Sequence, residues 1–184
     1  MILRLFLSFL LTALPALAQS TELLARADTR MDMLSAEPTL ADHLEITQVL
    51  VRKGERRLYL LSGDKKVRSY RVSLGDNPVG HKLYEGDKRT PEGDYLLDWR
   101  NANSDFYRSI HISYPSPGDR ELAEAWGLNP GGSIMIHGLP NDVGDLAFAF
   151  AGLDWTDGCI AVTNEEMDEI WALVDNGTPI RIVP

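Results

Sequence analysis

Cysteine is almost missing from this sequence: of 184 residues, only Cys159 carries a thiol. A single thiol excludes any intramolecular disulfide, so the chain must be held by a packed core. Basic residues are scarce against acidic ones, 18 to 27, which leaves a formal net charge of −9. No Lys/Arg run interrupts that balance. The basic footprint of a nucleic-acid binder is therefore lacking, and anionic membrane surfaces are poor partners. Metal-ligand spacings are lacking too: there is no HxH, HExxH or CxxC, so a metal is not expected.

Long apolar runs are confined to the N-terminus. Met1 to Ala18 places Arg4 ahead of a largely apolar Leu5 to Leu14 and ends in Ala16-Leu17-Ala18 before Gln19. This is the pattern of a secretory signal peptide over residues 1–18, shorter than the ~20 apolar residues of a comfortable membrane span. No Cys lies near that boundary to take a lipid, so the expectation is export across the inner membrane to the periplasm with no stable membrane anchor. In such an oxidising compartment a lone Cys159 is either a buried small hydrophobe or a thiol kept for its chemistry.

What remains suits one domain preceded by a short segment. Residues 19–43 carry Leu23, Leu24, Ala27, Met31 and Leu34 at helical spacing, closed by Pro38, and predict an N-terminal helical segment. From 44 to 184 the texture changes to short β-rich runs. Ile46 to Val51, Arg57 to Leu61 and Val67 to Leu74 predict an antiparallel meander. A Gly-, Pro- and charge-rich loop follows from Gly75 to Gly93, then strands at Tyr95 to Trp99 and Ser109 to Tyr114. A short helix ends at Trp126, and Ser133 to Ile136 reads as a buried strand that delivers His137-Gly138. After a loop with a helical turn comes the strand Cys159 to Val162. Thr163 with Glu166 forms a capping-box pattern opening a helix through Val174, and Pro179 to Val183 supplies the last strand. The fold class is α+β, β-dominated.

Two segments set a reactive group beside glycine at a strand end: Ile136-His137-Gly138 and Asp157-Gly158-Cys159-Ile160. A strand holds its terminal side chain rigidly, and glycine lets a backbone or ligand approach closely. A thiol with a free pKa of about 8.5 gains reactivity from an imidazole that accepts its proton. Gly158 leaves the backbone N–H groups around Cys159 unshielded, a candidate oxyanion site. A terminal-strand histidine is also compatible with a purely structural hydrogen bond, and spacing alone leaves both readings open.

The motifs are more specific than their spacing. Thr90-Pro91-Glu92-Gly93-Asp94-Tyr95, His111-Ile112-Ser113-Tyr114-Pro115, Pro130-Gly131-Gly132 leading to Ile136-His137-Gly138, and Thr156-Asp157-Gly158-Cys159-Ile160 resemble the catalytic (YkuD-like) domain of L,D-transpeptidases over roughly Leu44 to Pro184. That resemblance implies a mixed β-sandwich or barrel with a few peripheral helices, and an exported peptidoglycan-modifying cysteine enzyme. Cys159 would attack a stem-peptide carbonyl and form a thioester, resolved by an amine or by water. His137 would be the base, and Gly158 with the Cys159 N–H the oxyanion site. Peptidoglycan stem peptides, with a peptidoglycan-linked lipoprotein as a further candidate, would be the partners.

The sequence departs from the commoner Ser-His-Gly-Cys-x-Arg at Asp157 and Ala161. Loss of the Arg removes a carboxylate partner or a structural clamp, and an ionised Asp157 opposes thiolate formation. This variant resembles a branch with hydrolytic members that detach protein from peptidoglycan, so transpeptidase and amidase readings both stand. A metal-dependent peptidase or a non-catalytic wall-binding protein are the readings from other classes. Tyr114, His111, Thr156 and Asp157 are candidate substrate contacts, with packing or structural hydrogen bonding as the alternative for the first two. His81 is expected to be solvated. Lys82, Lys88 and Arg89 either attract peptide carboxylates or form a solvated face, and Trp155 either walls the pocket or packs in the core.

Overall fold

A computed structural model describes residues 45–150 and 152–184; the expected signal peptide (1–18) and the segment 19–43 lie outside the described residues. Among the described residues eight strands form one sheet. The first three, β1 (Gln48–Arg52), β2 (Arg57–Ser62) and β3 (Lys65–Arg71), make the expected antiparallel meander. At the centre, β8 (Thr178–Val183) runs parallel to β1 and antiparallel to β4 (Gly93–Ser104). Its alternation decides its place: Thr178, Ile180 and Ile182 are buried while Pro179 and Arg181 face out, a period of two that fits a sheet with one covered face. Pro179 precedes the ladder to β1, which starts at Ile180, so its missing N–H costs no bond there.

Beyond β4 lie β5 (Tyr107–Ile112), β6 (Met135–His137) and β7 (Ile160–Ala161), with β6 antiparallel to β5 and parallel to β7. No ladder closes the sheet. Its two ends meet through isolated bridges, Ser73 to Ala161 and Gly75 to Thr156, which is as far as the structure goes toward a barrel. Val49, Leu60, Leu97, Ile112, Ile136 and Ile160 are among the fully buried core. Helix α1 (Pro117–Ala125) starts at a Ser116–Asp119 capping box. Helix α2 (Asn164–Leu173) opens on the Thr163–Glu166 capping box, burying Met167 and Ile170.

Two features depart from expectation. β4 continues five residues past Trp99 through Arg100-Asn101-Ala102-Asn103-Ser104, a polar run that lacks the apolar alternation of a strand. It extends because β5 pairs with it, through register shifts, as far as Ser104 opposite Tyr107. The resulting hairpin arm stands beside His137. The second departure is the loop from Gly75 to Gly93, which turns Lys82 and Asp87 inward while Lys88 and Asp76 pair at the surface. Lys53, 2% exposed, donates to the Gly80 and Thr90 carbonyls and to Glu92. Lys82 and Asp87 form a buried ion pair at 2.9 Å, and Asp87 also accepts from the Leu83, Tyr84 and Arg89 N–H groups. Burial pushes the Asp87 carboxyl up, but these donors outweigh it and hold it below the usual range. His81 is likewise not solvated: Nδ1 accepts from the Glu92 N–H, and Nε2 donates to Asp119 at 3.0 Å. The buried Lys53, Lys82 and Asp87 thus each have partners, whereas Arg89 Nε is buried without one among the described residues.

Candidate active site

The β6–β7 ladder at one end of the sheet brings the two reactive groups to one cleft. His137 closes β6, opposite Ser109 on one side and beside Ala161 on the other. Cys159 directly precedes β7, whose Ile160 is level with Ile136. Both side chains line one cleft of about 360 Å³. The cleft is walled by the hairpin arm (Asn101, Asn103, Ser104, Asp105, Phe106), by Ser133 and Met135, and by Trp155, Thr156 and Asp157.

His137 is 3% exposed. Its Nδ1 lies 2.7 Å from the Gly138 carbonyl, which can only accept, so Nδ1 carries the proton and Nε2 keeps its lone pair. The ring packs against Phe106 at 4.7 Å and Trp155 at 5.7 Å between centroids. Burial pulls its pKa down to about 4, against a small opposing effect of the Gly138 carbonyl. The imidazole is therefore neutral, and a proton acceptor, at any pH well above 4.

Burial pushes the Cys159 thiol up. The Met135 N–H lowers it, Asp157 raises it, and Lys82 lowers it from a distance. Sγ points toward the Ser133 carbonyl at 3.6 Å. The resting pair is thus thiol and neutral imidazole, not thiolate and imidazolium. Such a pair works by general-base catalysis, with the proton leaving sulfur as the S–C bond forms.

A tight turn holds the thiol in place. Thr156 is 4% exposed, and its hydroxyl donates to the Cys159 carbonyl (2.8 Å) while accepting from the Gly158 N–H (3.2 Å). The Thr156 N–H in turn donates to the Leu74 carbonyl. Asp154 anchors the approach to this turn, taking two guanidinium nitrogens of Arg56 and the Leu74 N–H. Gly158 has φ +126°, and a Cβ there would stand 2.6 Å from the Arg89 carbonyl oxygen. The Arg89 N–H is bound to the buried Asp87, so the loop from Gly75 to Gly93 is the back wall of the turn.

The profile of the L,D-transpeptidase catalytic domain, YkuD, matches residues 46–182. The chain belongs to this family. YafK of Escherichia coli K12, assigned by its name to the L,D-transpeptidases, is 30% identical over 132 residues, 68% of this chain and 46% of that protein. The chain thus spans about half the length of the curated relatives it matches. The helical cell shape determining protein Pgp2 of Campylobacter jejuni (K307A mutant) superposes with a TM-score of 0.58 at 26% identity, covering 74% of this chain and 46% of that one. Bd1075 of Bdellovibrio bacteriovorus shares the fold at 23% identity and a TM-score of 0.50, covering 76% and 48%.

Within this L,D-transpeptidase domain the structure sorts the sequence-derived residues. Cys159, His137, Thr156 and Asp157 converge on the cleft. His111 and Tyr114 are not in its wall. Tyr114 is buried, donating to the Pro130 carbonyl at 3.0 Å and packing edge-on against Tyr95. His111 lies 2.6 Å from Asp98 through Nδ1 and stacks on Trp99. Thr156 lines the cleft while its hydroxyl is engaged within the turn. The oxyanion expectation also narrows. The Gly158 N–H is bound to Thr156, whereas no partner is present for the Cys159 N–H among the described residues.

Sequence reading missed the hairpin arm. The signal was available: a run of Asn, Ser and Asp between two strands, just ahead of the strand that pairs with His137. Trp155 walls the cleft, and its buried Nε1 has no hydrogen-bond partner among the described residues.

Thr156→Val removes both turn bonds. It is expected to cost about 1–3 kcal/mol, as for other polar groups left unpaired, and to slow any chemistry at Cys159, while Thr156→Ser restores both. Chemical denaturation of the three proteins, with thiol alkylation rates, checks this; equal stability of Val and Ser variants would refute it.

Proposed function

We propose that the domain is an exported, peptidoglycan-modifying cysteine enzyme that transfers an acyl group from a stem-peptide carbonyl, through a thioester on Cys159, to an amine or to water. One observation carries this reading: a thiol and a neutral imidazole whose Nε2 carries no proton share the wall of one cleft. Family membership and the shared fold support it. In the first step Sγ bonds to the carbonyl carbon as its proton passes to His137 Nε2. The oxyanion faces the Cys159 N–H. The carbon–nitrogen bond then breaks, and the departing amine takes the proton from His137. In the second step an amine or water gives a proton to His137 and attacks the thioester, and the leaving thiolate recovers that proton. Nothing in this cycle requires a cofactor.

A hydrolytic amidase that detaches protein or crosslinks from peptidoglycan is the second reading. It is favoured by Asp157 and Ala161, which stand where the commoner pattern has His and Arg. The periplasm is the proposed location, on the strength of residues 1–18 as signal peptide, and the proposed catalytic domain spans residues 44–184. Peptidoglycan stem peptides are the proposed partners, and a peptidoglycan-linked lipoprotein is a further one.

Mass spectrometry of the mature protein with crosslinked and lipoprotein-bearing muropeptides, beside Cys159→Ala, tests this. An acyl adduct on Cys159 with new crosslinks establishes the transferase, and an adduct with only released peptide or protein establishes the hydrolase. Absence of any adduct overturns the enzyme reading in favour of a non-catalytic wall-binding protein.

The raised thiol adds a pH expectation. Alkylation of Cys159 by iodoacetamide should be slow at pH 7 and climb about tenfold per pH unit through pH 9, since the thiolate is the nucleophile. A rate that levels off below pH 8 would contradict the neutral resting pair.

A further inference from the structure

Among the described residues four that are not glycine adopt positive φ: Arg56, Lys88, Tyr107 and Ser133. Three of them belong to segments around the cleft. Tyr107 begins β5 beside the hairpin tip, Ser133 lines the cleft wall, and Lys88 lies in the loop behind the Cys159 turn. Arg56 is the exception, since it ends the β1–β2 turn and contributes nothing to the cleft wall. At φ +52° an L side chain crowds its own backbone, and glycine or asparagine fits more readily. An arginine held there points to a role for its side chain.

That side chain meets a partner 98 positions along the chain. Arg56 Nε and one terminal nitrogen donate to Asp154 Oδ2 at 2.9 and 2.7 Å, and the other terminal nitrogen donates to the Lys53 carbonyl. Asp154 Oδ1 accepts the Leu74 N–H at 3.0 Å, and the Leu74 carbonyl accepts the Thr156 N–H at 3.1 Å. The residues on both sides of Trp155 are thus tied to Leu74, with the indole 5.7 Å from the His137 ring between centroids. Thr156 continues the path by donating to the Cys159 carbonyl. The ion pair itself is open to water, its side chains 32% and 20% exposed, and such a pair adds little to overall stability. Stability is therefore a poor account of an arginine in a strained conformation.

We propose that Arg56 is a positioning residue for Cys159: through Asp154 it holds the strap from Asp154 to Thr156 against Leu74, and the strap sets the Cys159 turn and the Trp155 indole against His137. Arg56 touches no reacting atom. It acts on how well thiol and imidazole are aligned for proton transfer, so it bears on the rate of the chemical step and not on affinity for the peptide. For that step the inference rests on the acyl-transfer reading; for the geometry of the turn it does not.

Arg56→Gly, Asp154→Asn and the double variant test this. Glycine relieves the backbone at position 56, and asparagine keeps an acceptor for the Leu74 N–H, so each variant loses the grip without losing the turns it joins. Each single variant is expected to lower the limiting rate of Cys159 acylation by a synthetic stem peptide about tenfold to a hundredfold. The half-saturating concentration should stay within about twofold of wild type, and the denaturation midpoint should not move. Because the two side chains act as one unit, the double variant should be no slower than the slower single one. Wild-type limiting rates in Arg56→Gly, a loss carried by half-saturation instead, or losses that multiply in the double variant would overturn the proposal. Two further readouts need no peptide: iodoacetamide alkylation of Cys159, and the near-ultraviolet circular dichroism of Trp155, taken in each background as the difference from Trp155→Phe. Both should change, and together, in the two single variants. If they do while the wild type forms no adduct, the positioning role stands and the enzyme reading falls. If neither changes, the positioning role falls whatever the adduct shows.

Discussion

His137→Gln is expected to slow acylation of Cys159 by about 10²- to 10⁴-fold, the usual contribution of a positioned general base. The reason lies in the resting state. With its thiol raised by burial and Asp157, Cys159 does not supply thiolate on its own, so the reaction depends on proton transfer to Nε2. A pre-formed ion pair would behave differently, because losing the imidazole would then show chiefly in the pH at which the thiolate appears. The same substitution has a signature in stability. The His137 pKa falls from 6.5 in the unfolded chain to about 4 in the fold, so between those values the unfolded state binds the extra proton. Stability is therefore unaffected above pH 6.5, declines as the pH drops toward 4, and levels off below. The integrated loss is roughly 3 kcal/mol. Denaturation of wild type and His137→Gln at pH 7 and pH 4 isolates it: the variant should lose less on acidification. Equal losses, or acylation within threefold of wild type, would remove His137 from the role of buried base.

Much of this was legible in the sequence because the decisive signals are local. The Thr163–Glu166 box predicts the start of α2, and the structure forms both of its reciprocal bonds. The glycine-flanked His137 and Cys159 mark the two strand ends that meet at one cleft, since strand ends and glycines are written directly in the chain. What was not legible depends on partners distant in sequence. Lys53 meets Glu92 across thirty-nine positions, and nothing in the local composition distinguishes that lysine from a solvated one. Lys82 is buried only because Asp87 and its three backbone donors turn inward with it. Alternation along β5 sets His111 opposite Ile110 and Ile112 but cannot say whether that face meets the cleft. The answer came from Asp98 and Trp99 on the neighbouring strand. The arm at Asn101 to Ser104 becomes a strand through pairing with β5, an override of weak local preference by tertiary context.

Gly158→Ala is expected to be among the most damaging single substitutions that leave both reactive side chains in place. At φ +126° the backbone is strained for any L side chain, and the new Cβ would lie 2.6 Å from the Arg89 carbonyl oxygen and 3.3 Å from Ile134 Cδ1. The carbonyl has little room to retreat, because the Arg89 N–H is bound to Asp87, itself buried against Lys82. The turn must give way instead, shifting Cys159 relative to His137. Strain and overpacking together should cost about 2–4 kcal/mol, and a displacement near 1 Å at the thiol is enough for about a 10²-fold loss of rate. Gly177→Ala supplies the control. It too has a positive φ, +88°, but nothing lies within 4 Å of the added Cβ. It therefore carries the backbone strain without the collision, at a cost near 1 kcal/mol and with acylation unchanged. Denaturation midpoints and acylation rates of the two variants separate the contributions. If Gly158→Ala proves no worse than Gly177→Ala in both measurements, the loop from Gly75 to Gly93 is not the rigid back wall of the turn.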